Sequence, residues 1–163
     1  MRSVALAVTL ALGCAALGAT GSSAAKAQCK PTLPGRMALP ASSPAAGFNY
    51  GTAALRVQLG WPKGTLAAGI LPDGGSRAIV EENGSIHAKL GWWRGVPGAL
   101  RITGRRLDAD APPLRAHVPT GYGPRGFQPT GLVFPTIGCW QVVGQLGDAR
   151  LTFVVKVTKL PWH

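Results

Sequence analysis

Two stretches of apolar/polar alternation, SIHAKLGW (85–92) and LTFVVKVT (151–158), set the main limit on what this chain can fold into. Successive side chains of an extended strand point to opposite faces, so the first stretch puts Ile86, Ala88, Leu90 and Trp92 on one face and His87, Lys89 and Trp93 on the other. The second sends Leu151, Phe153, Val155 and Val157 inward and Thr152, Lys156 and Thr158 outward, with Val154 breaking the rule. Further short runs of the same kind lie at 53–59, 66–71, 77–80, 100–103, 114–118, 131–134 and 139–146. Turn signals separate them: Pro62-Lys63-Gly64, Asp73-Gly74-Gly75, Asn83-Gly84 and Gly147-Asp148. Asn83-Gly84 suits a two-residue type I′ hairpin, because both residues tolerate positive φ. No helical stripe occurs beyond the first 27 residues. The pattern predicts an all-β fold, a single immunoglobulin-like β-sandwich of about seven to nine strands, spanning residues 51–163. An extended Pro/Ala/Ser-rich arm, 28–50, precedes it.

The first 27 residues combine Arg2, an apolar run from Val4 to about Leu17 and the small-residue ending Ala25-Lys26-Ala27. This is the layout of a secretory signal peptide cleaved before Gln28, which leaves one domain and no transmembrane segment. The run is shorter than the ~20 residues a spanning helix needs. Lipoprotein processing at Cys14 is the alternative. The expected location is secreted or periplasmic, in the cell envelope. Of the three cysteines, Cys14 leaves with the leader, and Cys29 and Cys139 remain as an even pair to be oxidised together. Such a bridge would clip the start of the arm to a late strand instead of joining two sheets.

Seventeen Lys and Arg stand against six Asp and Glu, a formal charge of +11, and loss of Arg2 and Lys26 with the leader leaves a strong positive excess. That balance favours an anionic envelope component, or a partner protein, as the neighbour. Arg94, Arg105, Arg106, Arg115 and Arg125, with Tyr122, form the expected outward ligand surface. Basic residues interleaved with Trp92, Trp93, Tyr122 and Phe127 also suit single-stranded nucleic acid. Trp92 belongs to the apolar face, however, and an exported chain seldom meets polynucleotide, so no nucleic acid is expected.

Catalytic constellations are sparse. Ser42, Ser43, Ser76 and Ser85 sit in no nucleophile elbow, and no C-x-x-C or H-x-x-x-H spacing offers a tetrahedral metal site. Glu81 and Glu82 read as hairpin surface, and Asp108 as the ion-pair partner of a neighbouring arginine. No cofactor or metal is expected. The enzymatic alternative is a hydrolase using Asp108 and Asp110 as paired carboxylates, or a metal held by His87 and His117 across a sheet. A third reading is an assembly part that docks through its Gly/Pro-rich segment.

That segment, GYGPRGFQPTGLVFPTIGCW (121–140), has Pro and Gly so closely spaced that no continuous ladder is expected over 119–136. It reads as a packed strut, with Tyr122, Arg125 and Gln128 outward.

Residues 90–157 resemble a family of small exported bacterial proteins with no assigned activity. The resemblance is carried by WWRGV (92–96), GRRLDA-x-APPLRA (104–116), GYG-x-x-GFQ (121–128) and GL-x-FPT-x-GCW (131–140). It implies export and a β-sandwich core, and an upstream cysteine like Cys29, but transfers no catalytic residue.

Overall fold

A computed structural model describes residues 28–35, 49–69 and 78–161. The leader with Cys14, the arm between 36 and 48, the Asp73-Gly74-Gly75 turn, Ser76 and His163 lie outside the described residues.

Among the described residues ten strands form two sheets. The first sheet contains β1 (Asn49–Gly51), β2 (Leu55–Gln58), β4 (Ala78–Val80), β5 (Ile86–Arg94), β7 (Arg115–His117) and β8 (Gly126–Phe134). The second contains β3 (Thr65–Ala68), β6 (Leu100–Arg106), β9 (Gly138–Leu146) and β10 (Ala149–Lys159). In the first the order is β1-β2-β5-β8-β7, with β4 sharing an edge of β5 with β2; in the second it is β3-β10-β9-β6. All pairings are antiparallel except β3 with β10. Every strand foreseen from the sequence is present; the tenth, β1, takes up the end of the expected arm, where Asn49 and Tyr50 pair with Gln58 and Val57.

The alternation translates directly into layers. Ile86, Ala88, Leu90 and Trp92 of the first sheet and Leu151, Phe153, Val155 and Val157 of the second are all buried in one core. The sheets meet where Trp92 crosses the gap: its ring centroid lies 6.2 Å from that of Phe153. Its six-membered ring also fills the space where Gly144 lacks a side chain; a Cβ there would fall 2.5 Å and 2.6 Å from two ring carbons. The indole N–H donates to Thr130 Oγ1 (3.2 Å), whose hydroxyl donates to the Leu90 carbonyl (3.2 Å), so no polar atom of the pair is stranded. Trp140 packs edge-on to Phe134 at 5.6 Å and donates to the Thr136 carbonyl.

Cys29 and Cys139 are joined as a disulfide with Cα atoms 5.6 Å apart. Cys139 shares the outward phase of Gln141 and Val143 in β9 yet is 1% exposed, because the arm lies over it. From there the arm follows the rim of the molecule. Thr32 donates its amide to the Val154 carbonyl (2.8 Å) and accepts the Val154 amide on its hydroxyl (2.9 Å). That accounts for the one apolar residue out of phase in β10: Val154 lies just before β10 begins to pair with β3, on an edge the arm covers. Gly35 then exchanges amide bonds with Asn49 (3.1 and 3.2 Å), passing the chain to β1. Two further bonds link the sheets at their rims, Gly69 N to the Ala78 carbonyl (3.0 Å) and Leu114 N to the Gly104 carbonyl (3.1 Å).

Two local expectations are corrected. The 119–136 stretch contains a continuous strand: β8 pairs with β5 at nine successive positions. Pro129 is tolerated because β7 flanks β8 only at Gly131–Val133, so β8 is an edge at position 129 and needs no donor there. The 81–85 hairpin is not a two-residue type I′ turn. Gly84 N bonds the Glu81 carbonyl and Glu81 N the Ser85 carbonyl, with positive φ at Gly84 but not at Asn83. Asn83 serves instead through its side chain, accepting from the Ser85 amide (3.0 Å) and hydroxyl (2.7 Å).

The bridge spans 110 residues of sequence, for which the chain-entropy account gives an upper figure of about 5 kcal/mol. Replacing Cys29 and Cys139 with Ser is expected to cost about 2–5 kcal/mol, measured as a lower denaturant midpoint. Gly144→Ala is expected to cost about 1–3 kcal/mol by overpacking against Trp92, whereas an unchanged melting curve would contradict the packing described.

Candidate functional site

Of the six residues expected to form one outward surface, four are exposed, at three separate places. Tyr122 and Arg125 are exposed on the loop between β7 and β8. Arg105 is exposed on the outer face of the second sheet, with its Nε 3.3 Å from Gln141 Oε1. Arg115 is exposed at the far end of the first sheet, beside a shallow depression lined by Asn83, Ser85, Pro112, Pro113 and Pro135.

Arg94 and Arg106 are not outward. Arg94 continues the inward phase of Ile86, Ala88, Leu90 and Trp92, and at the end of β5 it is 5% exposed. Its Nη1 donates to the Gly98 carbonyl (3.5 Å) and its Nη2 to the Gly123 carbonyl, so it ties the β5–β6 loop to the β7–β8 loop. Its Nε is buried with no hydrogen-bond partner. Gln128, also expected outward, is buried, donating to the carbonyl of Pro119 at 3.0 Å. Arg106 lies across Gly138, donates from Nη1 to Thr136 Oγ1 (3.2 Å) and pairs through Nε with Asp108 Oδ1 (2.6 Å). Its work is to brace the β8–β9 turn.

Around the Arg94 end, the structure adds a residue that sequence reasoning missed. Arg56, Trp93 and Phe127 stand in one cross-strand row on the outer face of the first sheet. Phe127 folds over Gly91, where a Cβ would come within 2.6 Å of its ring. Arg56 donates from Nε to the Thr52 carbonyl (2.8 Å). The signal for Arg56 was its place between the buried Leu55 and Val57. On the second sheet a similar row, Arg101–Gln145–Arg150, runs parallel to Arg105–Gln141–Val154. No carboxylate occupies either row.

For the hydrolytic alternative the geometry is specific. Burial alone would raise the Asp108 carboxyl, but the Arg106 hydrogen bond, the Cys139 amide and the Arg106 charge outweigh it and hold the group below its ordinary value of 3.8. A general acid requires the opposite direction. Asp110 is exposed in the same loop. His87 and His117 do lie on one outer face, on either side of Gly131, with His87 Nδ1 3.2 Å from Glu81 Oε1. Among the described residues no three His, Cys, Asp or Glu side chains gather to hold a metal.

Because the Asp108 carboxyl is lowered in the folded state, its contribution is present near neutrality and is lost as pH falls through the folded value. Asp108→Asn is expected to cost about 0.5–1 kcal/mol at neutral pH, an amount already discounted for partial exposure. The difference from the parent protein should shrink as pH falls below the ordinary carboxylate value and vanish once the folded-state carboxyl is protonated too. Urea titrations across that range measure it, and a gap that persists in acid would show the ion pair to be irrelevant.

Comparison of the chain with protein-family profiles, with curated proteins and with solved structures returns no match.

Proposed function

We propose that this protein is a secreted, non-catalytic β-sandwich of immunoglobulin-like type that acts in the cell envelope as a binding or accessory module for an anionic ligand or partner protein. The observation that carries this reading is the imbalance of paired and unpaired charge. Among the described residues Arg106 pairs with Asp108 and Glu81 lies within hydrogen-bond distance of the His87 ring, while Arg101, Arg105, Arg115, Arg125 and Arg150 stand exposed. Exposed cations without nearby carboxylates leave a positive potential that attracts polyanions and weakens with salt. The disulfide is compatible with an oxidising compartment. The immunoglobulin-like assignment is supported by two mainly antiparallel sheets between which the chain passes repeatedly. Kinship with the exported family resembled by residues 90–157 is part of the same reading.

The working residues are Arg105, Arg115, Tyr122 and Arg125, joined by Arg101 and Arg150. Arg106 acts by holding the fold. The double variant Arg105→Glu/Arg125→Glu is expected to keep the parent circular-dichroism spectrum and lose most of its retention on anionic phospholipid vesicles at low salt. Retention equal to that of the parent protein, by a folded variant, would remove the assignment.

A further inference from the structure

Arg94 is a buried cation with no carboxylate in ion-pairing distance among the described residues. Burying an ionised group is costly unless it is paired and fully hydrogen-bonded, and Arg94 meets only two backbone carbonyls. Among the described residues Asp108 is paired with Arg106, and neither Glu81, Glu82, Asp110 nor Asp148 forms an ion pair with Arg94. The geometry of its guanidinium makes the deficit directional. Nε–H and Nη2–H point the same way and form one edge of the planar fork, the edge that grips the two oxygens of a carboxylate or phosphate. In Arg94 that edge faces Gly123, whose single carbonyl oxygen takes Nη2 and leaves Nε buried and unpartnered. The other side is satisfied by Gly98.

The two carbonyls belong to loops of different character. A Cβ on Gly98 would touch Leu146 at 3.0 Å, so the β5–β6 loop is packed against the core. The β7–β8 loop carries glycines of positive φ at both ends of its tip, Gly121 (φ 89°) and Gly126 (φ 97°), and a Cβ on either would meet nothing within 4 Å. Gln128 holds the loop's base through the Pro119 carbonyl, and Gly126 opens β8 opposite Arg94, so the tip between these anchors is 121–125. That tip carries the exposed Tyr122 and Arg125.

We propose that Arg94 is a covered receptor for a carboxylate or phosphate group. The 121–125 tip turns about Gly121 and Gly126, the Gly123 carbonyl leaves Nη2, and the two oxygens of the anion take Nη2 and Nε together. Gly98 continues to hold Nη1, and Arg125 arrives with the tip as a second cation. The proposal rests on the reading above that the ligand is anionic, and gives that ligand a specific anchoring group.

The test is a titration of the mature, disulfide-bonded protein with inorganic phosphate and, separately, acetate, at constant ionic strength. It follows the Nε–H resonance of Arg94, assigned through its own side-chain carbons. A saturating shift of that resonance is expected with at least one of the two anions, and the preferred one identifies the ligand as a phosphate or a carboxylate bearer. Arg125→Gln should weaken the response several-fold while leaving the Arg94 resonance in place. Arg94→Lys, if folded, should lose roughly tenfold in affinity, because an ammonium cannot form the two-pronged contact. An Arg94 signal that stays still while exposed Arg101 and Arg150 respond would overturn the receptor yet leave the surface reading intact. Arg105 stands on the other sheet, so loss of vesicle retention in Arg105→Glu alone bears on the surface reading and not on the receptor, and the two ideas fail separately.

Discussion

Trp92 lying in the space of Gly144 sets the separation of the two sheets. A ring of that size can reach the opposite sheet only where the facing residue has no side chain, and Gly144 sits mid-strand between Leu151 and Ile102, opposite on the neighbouring strands. The same arrangement recurs at other depths. Phe127 covers Gly91, His87 covers Gly131, and Arg106 covers Gly138. Gly in a strand ordinarily weakens it, having no side chain to pack and more backbone freedom to lose. Here a neighbouring side chain restores the missing contact, and the strand gains a site where a long ring or guanidinium lies flat. This explains how a chain with 23 glycines holds strands of nine and eleven residues.

The arm complements this from outside. Strand edges expose unpaired amides and carbonyls that invite association with other chains. Thr32 occupies the free stretch of β10, Gly35 pairs with the outer edge of β1, and the disulfide holds the arm against β9. The exposed arginines stand away from these covered edges, on the outer sheet faces and the loops.

Much of the fold was legible because strands declare themselves by a period of two and turns by Gly, Pro and Asn. The nine strands read from the sequence coincide with nine of the ten observed. β1 escaped because three residues, NYG, are too few to show a period, and because their partner lies across a hairpin. The 119–136 stretch was misread because propensity counts proline as a break without knowing how many strands lie beside it; Pro129 has β5 on one side and no strand on the other. Arg94 is more instructive. Its parity with Ile86, Ala88, Leu90 and Trp92 already pointed inward, and only its charge suggested solvent. Whether a cation at a strand end turns out or in depends on loop carbonyls available to receive it, here Gly98 and Gly123, and that is a tertiary fact. Arg106 shows the converse: its pairing with Asp108 followed from proximity in sequence, whereas its seat on Gly138 did not.

The parallel pairing of β3 with β10 has a consequence for how the molecule comes into being. β10 is the last strand, it lies between β9 and β3, and it also receives Thr32, which is 122 residues earlier. The second sheet therefore lacks one of its two inner strands, and the arm one of its docking edges, until β10 has been made. Long-range closures of this kind slow folding, because the loop entropy must be overcome before the contacts form. A nascent chain of this design leaves Thr32 and β3 waiting for a strand made some ninety or more residues after them, and closes around β10 once it emerges.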